Sequence, residues 1–251
     1  MTGPAARLAE AQLAMMLLTR LPAGRLPEPA PTLAAARWAF PLVGLVVGLL
    51  GWAAQAGALA LGLAPGVAAV AALAAMALAT GALHLDGLAD FADGIGGGRD
   101  KARSLEIMRD SRIGSYGVLV LIGCVAASGT SLASVAGGLP LVAVLLAATA
   151  SRLAMLVLLD RLPPARADGL GQQASGAAPL AWVPGLLASA ALAVWIGPGA
   201  LAALAALAAA AAMVAWLAWR KIGGQTGDVL GAAQACAEAA AFVALAAWLG
   251  A

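Results

Sequence analysis

Residues 84–117 read HLDGLADFADGIGGGRDKARSLEIMRDSRIGSYG, and long apolar runs flank this stretch on both sides. The whole chain has 12 Asp and Glu residues and 14 Lys and Arg residues. The stretch holds a large share of both kinds of charge, namely Asp86, Asp90, Asp93, Asp100, Glu106 and Asp110 with Arg99, Lys101, Arg103, Arg109 and Arg112. Because charge is scarce elsewhere, we predict that this segment carries the chemistry of the protein.

The composition is that of a membrane protein. Hydrophobic residues make up 63% of the 251 residues and charged residues only 10%, whereas an average soluble domain is about one quarter charged. The mean hydropathy is +0.95. A soluble fold has too little interior to bury this much apolar surface, so we expect the bilayer to serve as the solvent. The net charge of +2 is small and indicates no nucleic-acid partner.

The apolar runs predict an all-α, polytopic transmembrane helix bundle in a single integral membrane domain, residues 1–251. A spanning helix needs about 20 mostly apolar residues. About seven segments meet this need, at residues 38–60, 66–83, 114–136, 139–159, 179–197, 199–219 and 230–250. Residues 1–37 contain no such run, and we expect them to form an interfacial N-terminal segment.

The distribution of charge along the loops predicts an orientation. All 14 Lys and Arg residues lie in, or nearest to, the segments 1–37, 84–113, 160–178 and 220–229. With seven spans, these four segments fall on the same side of the membrane. Cytoplasmic loops are enriched in Lys and Arg, so we predict a cytoplasmic N-terminus and a cytoplasmic active-site loop at residues 84–117.

Three aspartates of the loop have helical spacing. Asp86, Asp90 and Asp93 lie at i, i+4 and i+7, which places them on one face of a helix. Their mutual repulsion is relieved most simply by a divalent cation, and a set of oxygen ligands favours Mg²⁺ or Mn²⁺ over Zn²⁺. His84 falls on another face, so we do not expect it to be a ligand.

The second half of the loop combines glycines with cations. Residues 94–98 are GIGGG, which we expect to end one helix before a second helix at residues 99–112. A glycine-rich loop that leads into a helix N-terminus is able to hold phosphate. Candidate phosphate-binding residues are Gly96, Gly97, Arg99, Arg103, Arg109 and Arg112. Acids that bind metal beside bases that bind phosphate are typical of a phosphoryl-transfer site.

Charged residues outside the loop add further candidates. Arg152 and Glu238 lie deep inside predicted spans, where charges are functional candidates by default. Their mutual pairing is an equally good interpretation. Asp228 either caps the last helix or joins the metal site, and Arg166 lies in a third loop on the cytoplasmic side.

Residues 84–117 as a whole resemble the central signature of the cobalamin synthase family, the adenosylcobinamide-GDP ribazoletransferases. Further stretches match motifs of that family in the same order, at residues 18–22, 40–48, 165–171 and 223–228. The resemblance implies a multi-pass enzyme of the bacterial cell inner membrane. It implies adenosylcobinamide-GDP and α-ribazole or its 5′-phosphate as substrates, GMP as a product and Mg²⁺ as the cofactor. Homo-oligomer formation is left open.

This resemblance also suggests roles for the individual residues. Asp86, Asp90 and Asp93 would bind Mg²⁺. Asp110 or Glu106 would accept the proton of the attacking hydroxyl. The substrate-binding set would comprise Arg99, Arg103, Arg109, Arg112, Gly96, Gly97, Arg166 and Asp228.

Other membrane proteins share parts of the pattern. Residues 86–90 partly match an aspartate motif of the CDP-alcohol phosphotransferases, but Asp90 stands where that motif has arginine, so we transfer no roles from it. A membrane prenyltransferase would also pair aspartates with Mg²⁺, and consumption of a prenyl diphosphate would identify one. A transporter with an acidic site would move a labelled solute into vesicles without changing it.

Overall fold

The computed structural model describes residues 3–135, 137–176, 178 and 180–250. Within these ranges the chain forms α-helices and no β-strand. The helices are α1 Pro4–Leu18, α2 Leu33–Ala36, α3 Phe40–Ala60, α4 Pro65–Thr80, α5 Leu83–Gly97, α6 Lys101–Ile107, α7 Ser115–Ser134, α8 Leu141–Arg161, α9 Leu170–Ala174, α10 Val183–Ile196, α11 Gly199–Ile222 and α12 Gly227–Leu249. The prediction of an all-α fold is confirmed.

The lengths of these helices agree with a chain that crosses the membrane several times. Five helical segments are long and apolar enough to span, namely Leu33–Ala60, which contains α3, together with α7, α8, α11 and α12. Helices α4 and α5 form a sixth candidate, bent by 89°. The predicted span at 179–197 corresponds to α10, which has 14 residues and is therefore only about 21 Å long, against a hydrocarbon core of about 30 Å.

Helix α12 is the central helix of the bundle. It packs against α5, α7, α8 and α11. Of its most apolar 18-residue stretch, 72% is buried. Its many alanines allow these neighbours to approach closely, as is usual where membrane helices pack. Large apolar side chains on the outer helices are exposed instead, for example Leu119, Trp195 and Leu201. The bundle therefore shows small residues inside and bulky apolar residues towards the lipid.

The sharp bend between α4 and α5 sets the position of the charged segment. Gly81 and Ala82 both have positive φ, 62° and 57°. The backbone N–H of Arg20 donates to the carbonyl of Ala79 over 2.7 Å, and the Arg20 side chain covers Gly81 so closely that a Cβ there would lie 2.6 Å from its Nε. The N-terminal segment therefore braces the bend that turns α5 across the end of the bundle.

Arg152 and Glu238 form an ion pair inside the bundle. Arg152 Nη1 lies 3.3 Å from Glu238 Oε1 and also donates to the carbonyl of Ala148 over 2.9 Å. Only 1% of the Arg152 side chain is exposed. Of the two interpretations of these charges, the structure supports their mutual pairing, which joins α8 to α12.

Removing one member of this pair should destabilise the protein strongly. A single Arg152→Met or Glu238→Leu change leaves an uncompensated buried charge, which costs about 3–5 kcal/mol. The double variant should recover most of that loss. Thermal unfolding in detergent measures the effect, and Arg103→Gln, which breaks an exposed pair with Glu106, should change stability by less than about 1 kcal/mol. Single variants that unfold at the same temperature as the wild type would contradict the expectation.

Candidate active site

A close crossing of α5 and α12 brings distant parts of the sequence together. A Cβ added to Gly87 would lie 3.2 Å from Cα of Asp228, and one added to Gly231 would lie 3.3 Å from Cα of His84. The two backbones are therefore in contact at these glycines. Asp86 lies beside Gly87 on α5 and Asp228 lies in the first turn of α12, so both acids flank the same crossing.

Asp228 does not cap the helix that it begins. Thr226 has that role, because its hydroxyl accepts a hydrogen bond from the backbone N–H of Val229 over 3.3 Å. The same hydroxyl donates to Asp228 Oδ2 over 3.1 Å. Of the two predicted roles for Asp228, the cap therefore belongs to Thr226, and the Asp228 carboxylate is left to face the crossing.

A cavity of about 310 Å³ lies at this crossing. Its polar wall includes Asp86, Asp228 and Arg166, three residues that come from three separate predicted motifs. Arg166 Nη2 lies 3.8 Å from Asp228 Oδ2. The structure thus brings a cation and two of the predicted acids to one concave site, as expected for the binding of a small polar or charged group.

The donor atoms at this site suit a hard divalent cation. Among the described residues, Asp86 and Asp90 take part in no ion pair. Within the same part of the chain, no group of three or more His, Cys, Asp and Glu residues is placed to hold a metal ion, so the structure does not bring the predicted ligands Asp86, Asp90 and Asp93 together as one such group. Mg²⁺ commonly binds one or two carboxylates and completes its shell with water and substrate phosphates. The carboxylates here therefore have the type and number that Mg²⁺ accepts when other groups complete its shell.

Asp93 has a different position from the other two predicted metal ligands. It is buried, and its two oxygens accept hydrogen bonds from the backbone N–H groups of Gly114 and Gly117 over 2.6 and 2.9 Å. A Cβ at either glycine would collide with the Asp93 carboxylate. Asp93 therefore satisfies the free N–H groups at the start of α7, a role that the sequence analysis missed.

The glycine-rich segment differs from its prediction. Helix α5 continues through Gly96 and Gly97, and the following helix covers only 101–107 instead of 99–112. The glycines allow close packing: a Cβ at Gly94 would lie 2.5 Å from Met108 Cγ, and one at Gly96 would lie 2.6 Å from the Tyr116 ring. The segment therefore joins helices tightly. The prediction that the glycines end one helix before a second is confirmed, because α5 ends at Gly97 and α6 begins at Lys101, but the second helix is shorter than predicted.

The N-terminus of α6 is also closed to phosphate. The Asp100 carboxylate accepts a hydrogen bond from the backbone N–H of Arg103 over 2.9 Å and caps this helix. A carboxylate at that position occupies the N–H groups and repels an anion. The geometry does not support the predicted phosphate cradle at Gly96 and Gly97.

Two of the predicted arginines are tied to acids on their own segment. Arg103 pairs with Glu106 over 2.8 Å and Arg112 pairs with Asp110 over 2.7 Å, and both pairs are largely exposed. Arg99 is also exposed. These residues lie on the connection around α6, and none of them lines the 310 Å³ cavity.

Arg109 belongs instead to a chain of ion pairs that leads to the cavity. Its Nη2 lies 2.6 Å from Asp168 Oδ2, and Asp168 Oδ1 lies 3.6 Å from Nε of Arg166. Arg166 then approaches Asp228. The chain links the segment after α6, the segment between α8 and α9, and the start of α12. Arg109 and Arg166 are therefore the two predicted cations that the structure connects to the cavity.

The two predicted proton acceptors lie in unfavourable surroundings for that role. Hydrogen bonds from the side chain and backbone of Arg112 lower the pKa of Asp110 to about 2. An efficient general base has a pKa near the working pH, so Asp110 would hold a proton too weakly. Glu106 is exposed and paired with Arg103. A carboxylate at the cavity is a better placed acceptor.

The structural role of Asp93 predicts that its amide variant is less stable. In Asp93→Asn an NH₂ group replaces one of the two accepting oxygens, so a backbone N–H at the start of α7 loses its partner. We expect a loss of about 1.5–3 kcal/mol, the usual range for hydrogen bonds to charged groups. Thermal unfolding in detergent checks this, with Asp90→Asn on the same helix as the control. Equal melting of both variants and the wild type would contradict the assigned role.

Comparison with known proteins agrees with the resemblance seen in the motifs. The family model described as cobalamin-5-phosphate synthase matches residues 10–246. A protein of Bradyrhizobium diazoefficiens named adenosylcobinamide-GDP ribazoletransferase is 44% identical over 239 residues, which cover 92% of this chain and 90% of that protein. Proteins with the same name from Mesorhizobium japonicum and Xanthobacter autotrophicus are 40% and 47% identical, over 94% and 86% of this chain and 92% and 87% of their own lengths.

No solved structure matches the chain. The family model and the curated relatives each cover most of the chain, and the range that the family model matches includes all the segments that form the site. The chain therefore belongs to the cobalamin-5-phosphate synthase family.

Proposed function

We propose that this protein transfers the phosphocobinamide part of adenosylcobinamide-GDP to α-ribazole or α-ribazole 5′-phosphate and releases GMP. The name shared by its relatives, adenosylcobinamide-GDP ribazoletransferase, supports this activity. The observation that carries the proposal is the convergence of Asp86, Asp228 and Arg166 on one cavity. Two carboxylates beside a guanidinium suit a reaction at a pyrophosphate. Such a site must bind the negative phosphates and stabilise the charge that passes to the leaving group.

The proposed reaction is a displacement at phosphorus. A ribazole hydroxyl oxygen forms a bond to the phosphorus nearer the cobinamide, and the bond from that phosphorus to the bridging oxygen breaks. The hydroxyl proton passes to a carboxylate oxygen at the cavity, and the bridging oxygen leaves with GMP. Positioning and electrostatic stabilisation supply most of the catalysis in such reactions.

Asp86, with Asp90 one turn further along α5, would hold Mg²⁺ in this proposal, and the Asp228 carboxylate would accept the hydroxyl proton. When bound, Mg²⁺ neutralises charge on the non-bridging pyrophosphate oxygens. Arg109 would bind the phosphate of the departing GMP, because its guanidinium group matches phosphate oxygens in geometry and charge. The contact between the backbones of α5 and α12 would hold Asp86 and Asp228 in a fixed relation to each other.

We further propose that the site faces the cytoplasm and that the protein lies in the bacterial inner membrane. The basic residues near the site support this orientation. Lys221, at the end of α11, donates to the carbonyl of Gly98 over 3.3 Å, so a basic helix end lies beside the charged segment. Basic residues gathered at one end of a helix bundle mark the cytoplasmic side.

The test is GMP release by purified protein in detergent with adenosylcobinamide-GDP, α-ribazole 5′-phosphate and Mg²⁺. The wild type should form GMP and a matching corrinoid product, and EDTA should abolish both. Asp86→Asn should lower kcat at least about 100-fold, on the scale of losing one electrostatic contact to a transition state.

The matched control is Asp100→Asn, which removes the same charge from the cap of α6 and should keep most of the activity. Folded wild-type protein that releases no GMP would overturn the proposed function. Full activity in Asp86→Asn would retain the enzyme and reject the metal site.

A further inference from the structure

We propose that the 310 Å³ cavity is the subsite for the ribazole substrate, with its apolar base against α1, α3 and α8 and its ribose or phosphate towards Asp86, Asp228 and Arg166. The inference rests on the proposed function and adds which of the two substrates enters the cavity. It also names the side chains that select the base.

One wall of the cavity is apolar and spans several helices. Leu17 and Leu18 come from the end of α1, Phe40 from the start of α3, and Met155 and Leu159 from α8. These helices meet at the end of the bundle where the charged segment lies. A flat apolar ring would bury its surface against these side chains, and a phenylalanine face adds favourable aromatic contact.

The lining from α5 and from the segment between α8 and α9 includes polar atoms that lack partners. Nε2 of His84 and Nη1 of Arg166 are buried and have no hydrogen-bond partner in the described part of the chain. The His84 residue is only 5% exposed, and both residues line the cavity. Unpaired buried polar atoms are costly, so they point to a ligand with hydroxyl or phosphate oxygens on this side.

The two walls together select the ligand. A ribazole has an apolar aromatic base at one end and ribose hydroxyls or a phosphate at the other, which matches the division of the cavity. The guanine of the other substrate carries donors and acceptors around its ring, and the wall formed by Leu17, Phe40, Met155 and Leu159 offers side chains that satisfy none of them.

Size separates the substrates as well. At about 310 Å³ the cavity lies at the lower end of the range for small-molecule pockets, which is about 300–1,000 Å³. A corrinoid that carries an adenosyl group and GDP is several times larger than a nucleoside. It would therefore lie outside the cavity, with its pyrophosphate at Asp86 and Asp228 and its GDP end towards Arg109.

The test fills the cavity from its apolar side. In Leu17→Trp a larger side chain enters from α1, and in Leu83→Trp one enters from the cavity edge on α5, where Leu83 is 36% exposed. The matched control is Leu13→Trp, one turn earlier on α1. Leu13 is also partly buried against the core, but it does not line the cavity.

Each filling variant should raise KM for α-ribazole 5′-phosphate by at least about tenfold, the scale on which a change of pocket shape alters selectivity. KM for adenosylcobinamide-GDP should stay within about twofold, because in the proposed arrangement the added side chain does not touch that substrate. Leu13→Trp should behave as the wild type in both. A filling variant that raises KM for adenosylcobinamide-GDP instead, or changes neither KM, would overturn the inference.

Equilibrium dialysis with labelled α-ribazole 5′-phosphate, without the corrinoid, gives a readout that needs no turnover. The wild type and Leu13→Trp should bind the label, and both filling variants should lose binding by a similar factor. Equal binding by all four proteins would overturn the subsite. Because this measurement is independent of GMP release, failure of the subsite and failure of the proposed function are distinguishable.

Discussion

The contact between the backbones of α5 and α12 at Gly87 and Gly231 is the constraint on which the site depends. A Cβ at either position would lie closer to the facing backbone than side chains usually do, so the helices would have to shift to admit it. The same contact is possible only because α4 ends in a sharp turn, braced by Arg20, that lays α5 across the end of the bundle. A packing rule of membrane helices, small residues where helices touch, thus sets the relation between the two acids of the candidate site.

The candidate active site lies at one end of the most buried spanning helix. Helix α12 is surrounded by neighbours along its length, and the buried ion pair of Arg152 with Glu238 ties it to α8. Its first turn carries Asp228 and opens to the cavity. A group placed at the end of such a helix has little freedom to move, which suits a reaction in which preorganised charge supplies most of the rate.

Local patterns in the sequence predicted the fold well, whereas contacts between helices were beyond them. The spans follow from runs of about 20 apolar residues, and each predicted run contains a helix in the structure. Helical spacing alone placed Asp93 on the same helix face as Asp86. The hydrogen bonds that Asp93 accepts depend instead on where α7 begins. Gly114 and Gly117, which leave room for the Asp93 carboxylate, were the available signal. The approach of Arg166 to Asp228 joins segments that no local pattern relates.

The ion pairs from Arg109 through Asp168 and Arg166 to Asp228 give the site an internal counter-anion. Asp168 offsets part of the positive charge of the two guanidinium groups. A phosphate that bound these arginines would compete with a carboxylate already in place, so one anion would replace another and the local net charge would fall less than at bare arginines. Inorganic phosphate, which lacks the remaining contacts of the substrate, competes poorly in such an exchange. Under the proposed function, the acid that weakens each arginine's attraction would thereby favour a substrate that makes further contacts.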